Sequence, residues 1–372
     1  MAVSAIGADI GDLEIILAYR DNLGSVRYVS FPLSDGERIM SELGPFSGRV
    51  VPAVGSGAWR LSESIQLKTG ALIEKHREPL CVWSAIENLL SKESSRNDAF
   101  RLDHSRVVGS LHHSISAPYP SKSVLEAIRV PLYLDDLQES FPILLVNIKS
   151  GSSFYRIDSP NEIVRVGGSS IGASTINALG KRLLGTGSVS EIVADALKLD
   201  HASKADLLVE DIYGGDCDSI GLPGSTIASC FGKANNASCD SPDIAKSLID
   251  LICINTAQLA SFHARLNRCT TVVIVGSIGD NLEVAECIQR VLNVLPPKSS
   301  PPIRAVFFQH SRYLGCLGAL LRRERLANAF SAKLSNVPLD TATVADGVDD
   351  ETYTKLRVCT PPSVHHTDRF SN

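Results

Sequence analysis

Short apolar strands that run into a glycine-bearing turn and come back recur along this chain, and the recurrence limits its fold more than any other feature. The amino-terminal case, "AIGADIGDLEII", reads as a strand over Ala5 to Ile10, a turn, and a returning strand over Ile15 to Tyr19; a third strand follows over Ser25 to Phe31. Aliphatic and β-branched residues suit a pleated, half-buried surface, and glycine tolerates the turn between them. The pattern predicts an antiparallel meander. Past the middle of the chain, "PILLVNIKSGSSFYRI" and "EIVRVGG" repeat the same order of strand, turn and strand. Two halves that each open on a glycine-turned hairpin predict a duplicated α/β architecture.

The rest of the chain fills in around these hairpins. "RVVPAVGSGAW" is an apolar strand running into a Gly/Ser turn, and Leu61 to Leu90 carries helical periodicity interrupted at Pro79. From Ser91 to about Pro142 the periodicity loosens, which predicts an inserted loop over about 91–141 with one short helix. Helices are expected from about Ser169, Val189, Lys204 and Pro242. "TTVVIVGSIGD" and "IRAVFFQHSRYLGCLGALL" read as buried strands that each meet a glycine-containing turn, the second leading into a helix of small residues. The expected organisation is an N-terminal lobe over 1–142 carrying the insertion, a C-terminal lobe over 143–336, and a polar, mobile tail over 337–372.

With 372 residues, of which 44% are hydrophobic and 21% charged, the chain can bury a sizeable core. A formal charge of -5 with no long Lys/Arg run gives no general attraction to nucleic acid or to acidic membranes, so small molecules and proteins are the expected partners. Nine cysteines, scattered from Cys81 to Cys359 without a CxxC pair or zinc spacing, read as reduced thiols of a cytoplasmic protein. The first residues lack the charged and apolar regions of a secretory signal, and no apolar run approaches the ~20 residues of a membrane-spanning helix. His112-His113 and His365-His366 have no further ligand set beside them and read as surface histidines.

Two Gly/Ser turns, one from each half, can face each other across a cleft and offer backbone N–H groups to a polyphosphate. The segments "DIYGGDCDSIGLPGSTIASCFG", "VNIKSGSS", "VRVGGSSIGAST" and "HSRYLGCLGALL" sharpen this reading. Together, and in the same order over about Gly7 to Leu321, they resemble the type II, eukaryotic-like pantothenate kinases of the acetate kinase, sugar kinase and actin superfamily. The resemblance implies two duplicated ribonuclease H-like lobes with a cleft between them, the actin-like ATPase fold. It also implies a dimer joined through the C-terminal lobe. The activity implied is phosphorylation of the primary hydroxyl of pantothenate by ATP with Mg2+, giving 4'-phosphopantothenate, the first step of coenzyme A biosynthesis. Feedback inhibition by acyl-CoA is typical of such relatives.

Site residues carry over position by position. "VGSGAWRL" stands at the family's triple-glycine turn, with Gly55 and Gly57 matching and Ser56 departing, and an ungapped count from there places Glu78 of "KHREPLC" on the catalytic glutamate. A carboxylate there makes chemical sense, since an alcohol is a poor nucleophile until a base orients it and accepts its proton. A rival register uses Glu126, which lacks a preceding glycine-rich turn. Ser150, Gly151 and Ser153 fall on the second turn, which touches phosphate and pantothenate, and Arg165 matches an arginine whose planar fork suits developing phosphoryl charge. Gly168, Ser169 and Gly172 match the segment beside the nucleotide. The same stretch spells GxSxG through Gly168, Ser170 and Gly172, so the nucleophile elbow of an α/β-hydrolase is the competing reading, although no HGGG-type oxyanion loop accompanies it. Ile212, Tyr213, Ile227 and Ala228 correspond to residues that close over pantothenate bound to the other protomer.

The opening turn departs from the pattern. The family has Asp-Ile-Gly-Gly-Thr followed by a lysine; here Asp9 and Gly11 remain, but Asp12, Leu13 and Ile16 replace the second glycine, the threonine and the lysine. A carboxylate ~5 Å from a phosphate charge costs about 3 kcal/mol at an effective dielectric of about 20. Asp12 either imposes that cost or faces solvent in a turn and bonds its own backbone. Lys149 stands at a glycine of the family's second turn, where an inward side chain returns a cation to the phosphates, and magnesium is expected near Asp9. Two functions are consistent with this sequence: a working pantothenate kinase, or an impaired kinase-like subunit that completes the active site of a competent paralogue in a heterodimer.

Overall fold

The computed structural model describes residues 5–12, 14–91, 98–104, 114–235, 238–294 and 302–335. Leu13, both histidine pairs, parts of the 91–141 stretch and the tail expected over 337–372 lie outside the described residues. Met1–Leu326 forms one compact unit and Ala327–Asn372 a second, whose described part is the end of a helix that reaches Ser335. The architecture below is that of the first unit.

Strands β1 (Ile6–Ile10), β2 (Glu14–Arg20), β3 (Val26–Pro32), β4 (Val50–Val54) and β5 (Leu72–Lys75) form a sheet of order β3-β2-β1-β4-β5. The three leading strands are the expected antiparallel meander, and β4 and β5 add in parallel. All five residues of β1 are buried, as a central strand covered on both faces requires. A second sheet contains β6 (Ala99–Leu102), β7 (Arg129–Pro131), β8 (Ile143–Ile148), β9 (Ser152–Ser159), β10 (Glu162–Ser169), β13 (Thr271–Gly276) and β14 (Arg304–Phe308). Its order is β10-β9-β8-β13-β14-β6-β7. The run β10-β9-β8-β13-β14 repeats the first sheet's plan, an antiparallel hairpin pair followed by two parallel additions. This is the duplicated α/β plan read from the hairpins. β11 (Leu207–Leu208) and β12 (Ile227–Ser229) pair separately.

Helices α1 (Gly36–Leu43), α2 (Ser56–Arg60) and α3 (Ser62–Thr69) belong to the first half, and α4 (Glu78–Leu90) follows β5. Then come α5 (Lys122–Ile128), α6 (Leu134–Gln138), α7 (Ala173–Leu183), α8 (Val189–Ala196), α9 (Val209–Tyr213), α10 (Ser241–Leu266), α11 (Leu282–Val294) and α12 (Leu314–Ser335). Alternation along the second sheet assigns its two faces. Leu145, Val273 and Phe308 pack with Val82, Trp83 and Ile86 of α4 and with Leu314 and Leu317 of α12. Leu144, Ile274 and Phe307 face the opposite core, built on α10 and α11.

Three expectations change. Leu61 to Leu90 is not one helix broken at Pro79: β5 intervenes, and Pro79 sits in the first turn of α4, where its missing N–H costs nothing. The inserted stretch is not only a loop with one helix, because β6 and β7 extend the second sheet and both α5 and α6 are helical. No helix starts at Lys204. There the Ser203 hydroxyl bonds the Asp243 carbonyl at 2.8 Å and the Ala205 N–H bonds the Ser203 oxygen at 3.1 Å, local partners that compete with a helix.

Candidate active site

The glycine turns of the two halves meet at a cavity of about 280 Å³. Gly11 closes the β1–β2 turn by donating its N–H to the Glu14 carbonyl at 2.9 Å, and the β8–β9 turn closes through the Lys149 N–H and the Gly151 carbonyl at 2.8 Å. Gly55, at φ 90°, starts the short α2 so close to the first turn that a Cβ would lie 2.4 Å from the Ile10 carbonyl oxygen. Only glycine fits such a crossing.

Strand parity then aims the polar side chains. Asn147 and Lys149 continue the face that carries Leu145, the face packed against α4, and Glu78 is the first residue of that helix. Asn147 Nδ2 donates to Glu78 Oε1 at 2.8 Å. The Lys149 ammonium lies 2.7 Å from the same Glu78 oxygen and also bonds Asp9 Oδ2, so one lysine joins an acid from each half of the chain. Burial opposes charge on Glu78, but the ammonium of Lys149 and the hydrogen bonds from Lys149 and Asn147 outweigh it and hold the carboxyl below its usual range. Asp9 goes the other way: burial, with help from the charge on Glu78, pushes it up against the pull of Lys149. The lysine's own pKa is raised: burial disfavours its charge, but the two carboxylates prevail.

Asp12 neither stands free in solvent nor bonds its own backbone. It accepts the Ser56 hydroxyl at 2.6 Å and the Ser150 hydroxyl at 2.8 Å, with Arg60 3.5 Å away, so it laces three turns together. Those two hydroxyls, Ser56 first, hold the Asp12 carboxyl below its usual range.

Of the residues carried over from the family pattern, Asp9, Gly11, Gly55, Ser56, Glu78, Lys149, Ser150, Gly151, Ser153, Arg165 and Ser169 all line the cavity. Gly57, Gly168 and Gly172 do not line it but support it. A Cβ at Gly57 would meet the Gly11 carbonyl at 2.8 Å, one at Gly168 the Arg165 guanidinium at 2.3 Å, and one at Gly172 the Lys149 carbonyl at 2.5 Å. Asn147, Ser152 and Tyr155 line the cavity as well and are not among the residues read from the sequence; alternation relates Asn147 to Lys149 and Tyr155 to Ser153, whereas Ser152 lies on the other face of its strand. Ile212, Tyr213, Ile227 and Ala228 line a different pocket of about 340 Å³, with Ile115, Ile220 and Ile254, that shares no residue with the first. Ser170 has no histidine among the residues of the cavity, and the sheet before it is built on hairpins, so the hydrolase reading falls away. Glu126, on α5, does not line the cavity either: it pairs with Arg129 at the start of β7 at 3.0 Å.

Magnesium does not fit at Asp9. The carboxylate is 2% exposed, its Oδ1 would stand 2.7 Å from a Cβ on Gly55 and its Oδ2 2.7 Å from one on Gly315, and Oδ2 already holds Lys149. Mg2+ demands octahedral room and keeps several waters. Among the described residues no cluster of three or more His, Cys, Asp or Glu gathers to hold a metal.

A duplicated sheet plan with glycine turns facing one another over an Asp–Lys–Glu set defines a kinase-like α/β protein built from two like halves. The Fumble family model matches residues 8–322, and the chain belongs to that family, the type II pantothenate kinases. It is 29% identical to the mouse 4'-phosphopantetheine phosphatase over 74% of this chain and 30% of that protein. It is 30% identical to pantothenate kinase 2 of Arabidopsis thaliana over 76% of this chain and 29% of that protein. The chain thus spans under a third of the length of either relative. Among solved structures it is similar to the activator of the 2-hydroxyisocaproyl-CoA dehydratase from Clostridium difficile with bound ADPNP (TM-score 0.49, 12% identity, 90% of this chain and 98% of that one). Among the described residues no helix is long and apolar enough to cross a membrane.

Proposed function

We propose that the chain is a pantothenate kinase that transfers a phosphoryl group from ATP to the primary hydroxyl of pantothenate. The observation that carries this reading is Glu78, charged and held by Asn147 and Lys149 at the mouth of a helix that opens on the facing turns. ATP, with the magnesium its phosphates bring, supplies the phosphoryl group. Glu78 orients the hydroxyl and accepts its proton as the new P–O bond forms and the bond to the departing ADP breaks. A carboxylate held below its usual range is a weak base, which suits a loose transition state in which the proton moves late. Ser150 and Ser153 offer hydroxyls, and Arg165 is exposed and in no ion pair among the described residues, so its guanidinium is available for phosphoryl charge.

A second reading rests on a separate observation. Asp12 occupies the Ser56 and Ser150 hydroxyls that would meet a phosphate, which favours an impaired subunit that lends its Ile212-Tyr213 pocket to a paralogue in a heterodimer. Homodimerisation and acyl-CoA feedback belong to the first reading on the strength of the family alone. The test is ATP-dependent pantothenate phosphorylation by the purified chain. The first reading expects turnover that Glu78→Gln lowers at least ~10²-fold in kcat, with an acidic limb of the pH profile below the ordinary carboxylate range. Unchanged turnover in that variant refutes Glu78 as base. No turnover alone, but turnover with a paralogue that Tyr213→Ala abolishes, establishes the second reading.

A further inference from the structure

We propose that Lys149 is the resident cation of the cleft: its ammonium stands against Asp9 where a divalent ion would, so the chain binds a nucleoside triphosphate without needing a metal. The inference rests on the reading that the cleft takes such a nucleotide. Three observations carry it. First, the acid that opens β1's turn cannot accept a hydrated divalent ion, for the crowding by Gly55 and Gly315 described above. Second, the Lys149 ammonium fills that place already, anchored by Asp9 and Glu78, and an ammonium has three N–H donors, of which these acids engage two. Third, the side chain keeps 26% of its surface, and Lys149 lines the same cavity as the Ser56, Ser150 and Ser153 hydroxyls. The remaining donor is thus left for a phosphate that enters this cavity. A metal seated at Asp9 would also stand beside a like charge, so lysine and metal compete for the place. Fixing one cation between a buried acid, Asp9, and a half-buried one, Glu78, pre-organises the charge, whereas a metal must be recruited with each nucleotide.

The test is calorimetric binding of ATP to the full chain in excess magnesium and in excess EDTA, with free Mn2+ binding to the nucleotide-free protein followed by electron paramagnetic resonance. The wild type is expected to change its Kd for ATP by less than about threefold between the two media and to show no Mn2+ site. Lys149→Gly, which removes the ammonium and opens Asp9, is expected to lose at least about tenfold affinity in EDTA and to recover it with magnesium, with a Mn2+ site appearing. Lys149→Arg keeps the charge and is expected to stay indifferent to EDTA. A wild type whose affinity falls more than about tenfold in EDTA overturns the proposal while leaving the nucleotide cleft intact. Absence of ATP binding in both media overturns the cleft reading and this proposal together. Should Lys149→Gly fail to fold, the wild-type comparison and Lys149→Arg still decide.

Discussion

Replacing Asp12 with asparagine tests whether the departure in the first turn weakens the grip on phosphate. A phosphate oxygen seated on the Ser56 or Ser150 hydroxyl would stand one hydrogen bond beyond an oxygen that is itself 2.6 or 2.8 Å from the Asp12 carboxylate. That places the two negative charges ~5 Å apart, and at an effective dielectric of about 20 their repulsion is about 3 kcal/mol. Since 38% of the Asp12 side chain is exposed, solvent and salt reduce this to about 1 kcal/mol. Asp12→Asn keeps a carbonyl oxygen for one hydroxyl and offers an N–H₂ to the other, so the lacing of the turns survives while the charge goes. ATP should then bind about fivefold to tenfold more tightly at low ionic strength, a gain that narrows as the Debye length falls from ~30 Å at 0.01 M salt to ~3 Å at 1 M. Calorimetry at two salt concentrations measures both quantities. Unchanged or weaker binding at low salt, or a gain indifferent to salt, refutes repulsion by Asp12; in the second case the gain comes from loosened turns.

Two stability predictions test the frame that holds the cleft. Gly318 lets α12 lie against α4 so closely that a Cβ would fall 1.7 Å from the Cys81 carbonyl oxygen, and no side-chain rotation relieves a clash with backbone. Gly318→Ala should cost about 3 kcal/mol in urea denaturation or prevent folding, and a wild-type midpoint would show that the helices are not so packed. Asp206, which accepts the Ser247 hydroxyl and the Phe231 N–H, is pushed up by burial from 3.8 to about 6. Its folded value lies above its unfolded one, so its contribution to stability is fully present below pH 3.8 and is lost as pH rises through about 6. Asp206→Asn should therefore stabilise the protein at pH 8 by up to about 3 kcal/mol and add little at acid pH. Equal effects at both pH values in urea titrations would sink the argument.

The doubled plan was legible because strand periodicity and turn glycines are local signals, and both hairpins follow from residues a few positions apart. Helix boundaries near Pro79 and the strand at Leu72–Lys75 were not, since a four-residue strand on a sheet edge has no period to distinguish it from the helical pattern beside it. The strands β6 and β7 were hidden for a related reason: their place on the second sheet comes from Phe100 stacking on Phe307 at 5.8 Å, a contact across more than half the chain. Glu78 follows from a count from a turn; Asn147 shares the alternation of Lys149, but nothing local marks its partnership with a helix of the other half.

What the sequence concealed most fully is that its departures are partners. Ser56, Asp12 and Lys149 each stand where the pattern it resembles has glycine, and each puts a polar side chain into the cleft. In the folded chain Ser56 and Asp12, 44 residues apart, bond each other, Ser150 reaches Asp12 across 138 residues, and Lys149 reaches Asp9 across 140. An unpartnered charge at the buried Asp9 would be costly, and Lys149 supplies its partner. The departures thus fall into two sets: Asp12 faces the Ser56 and Ser150 hydroxyls, and Lys149 faces two acids. Restoring glycine at position 149 alone would leave Asp9 and Glu78 to repel each other. The cleft is better described as rebuilt around an internal cation and an internal carboxylate than as a phosphate site with one defective turn.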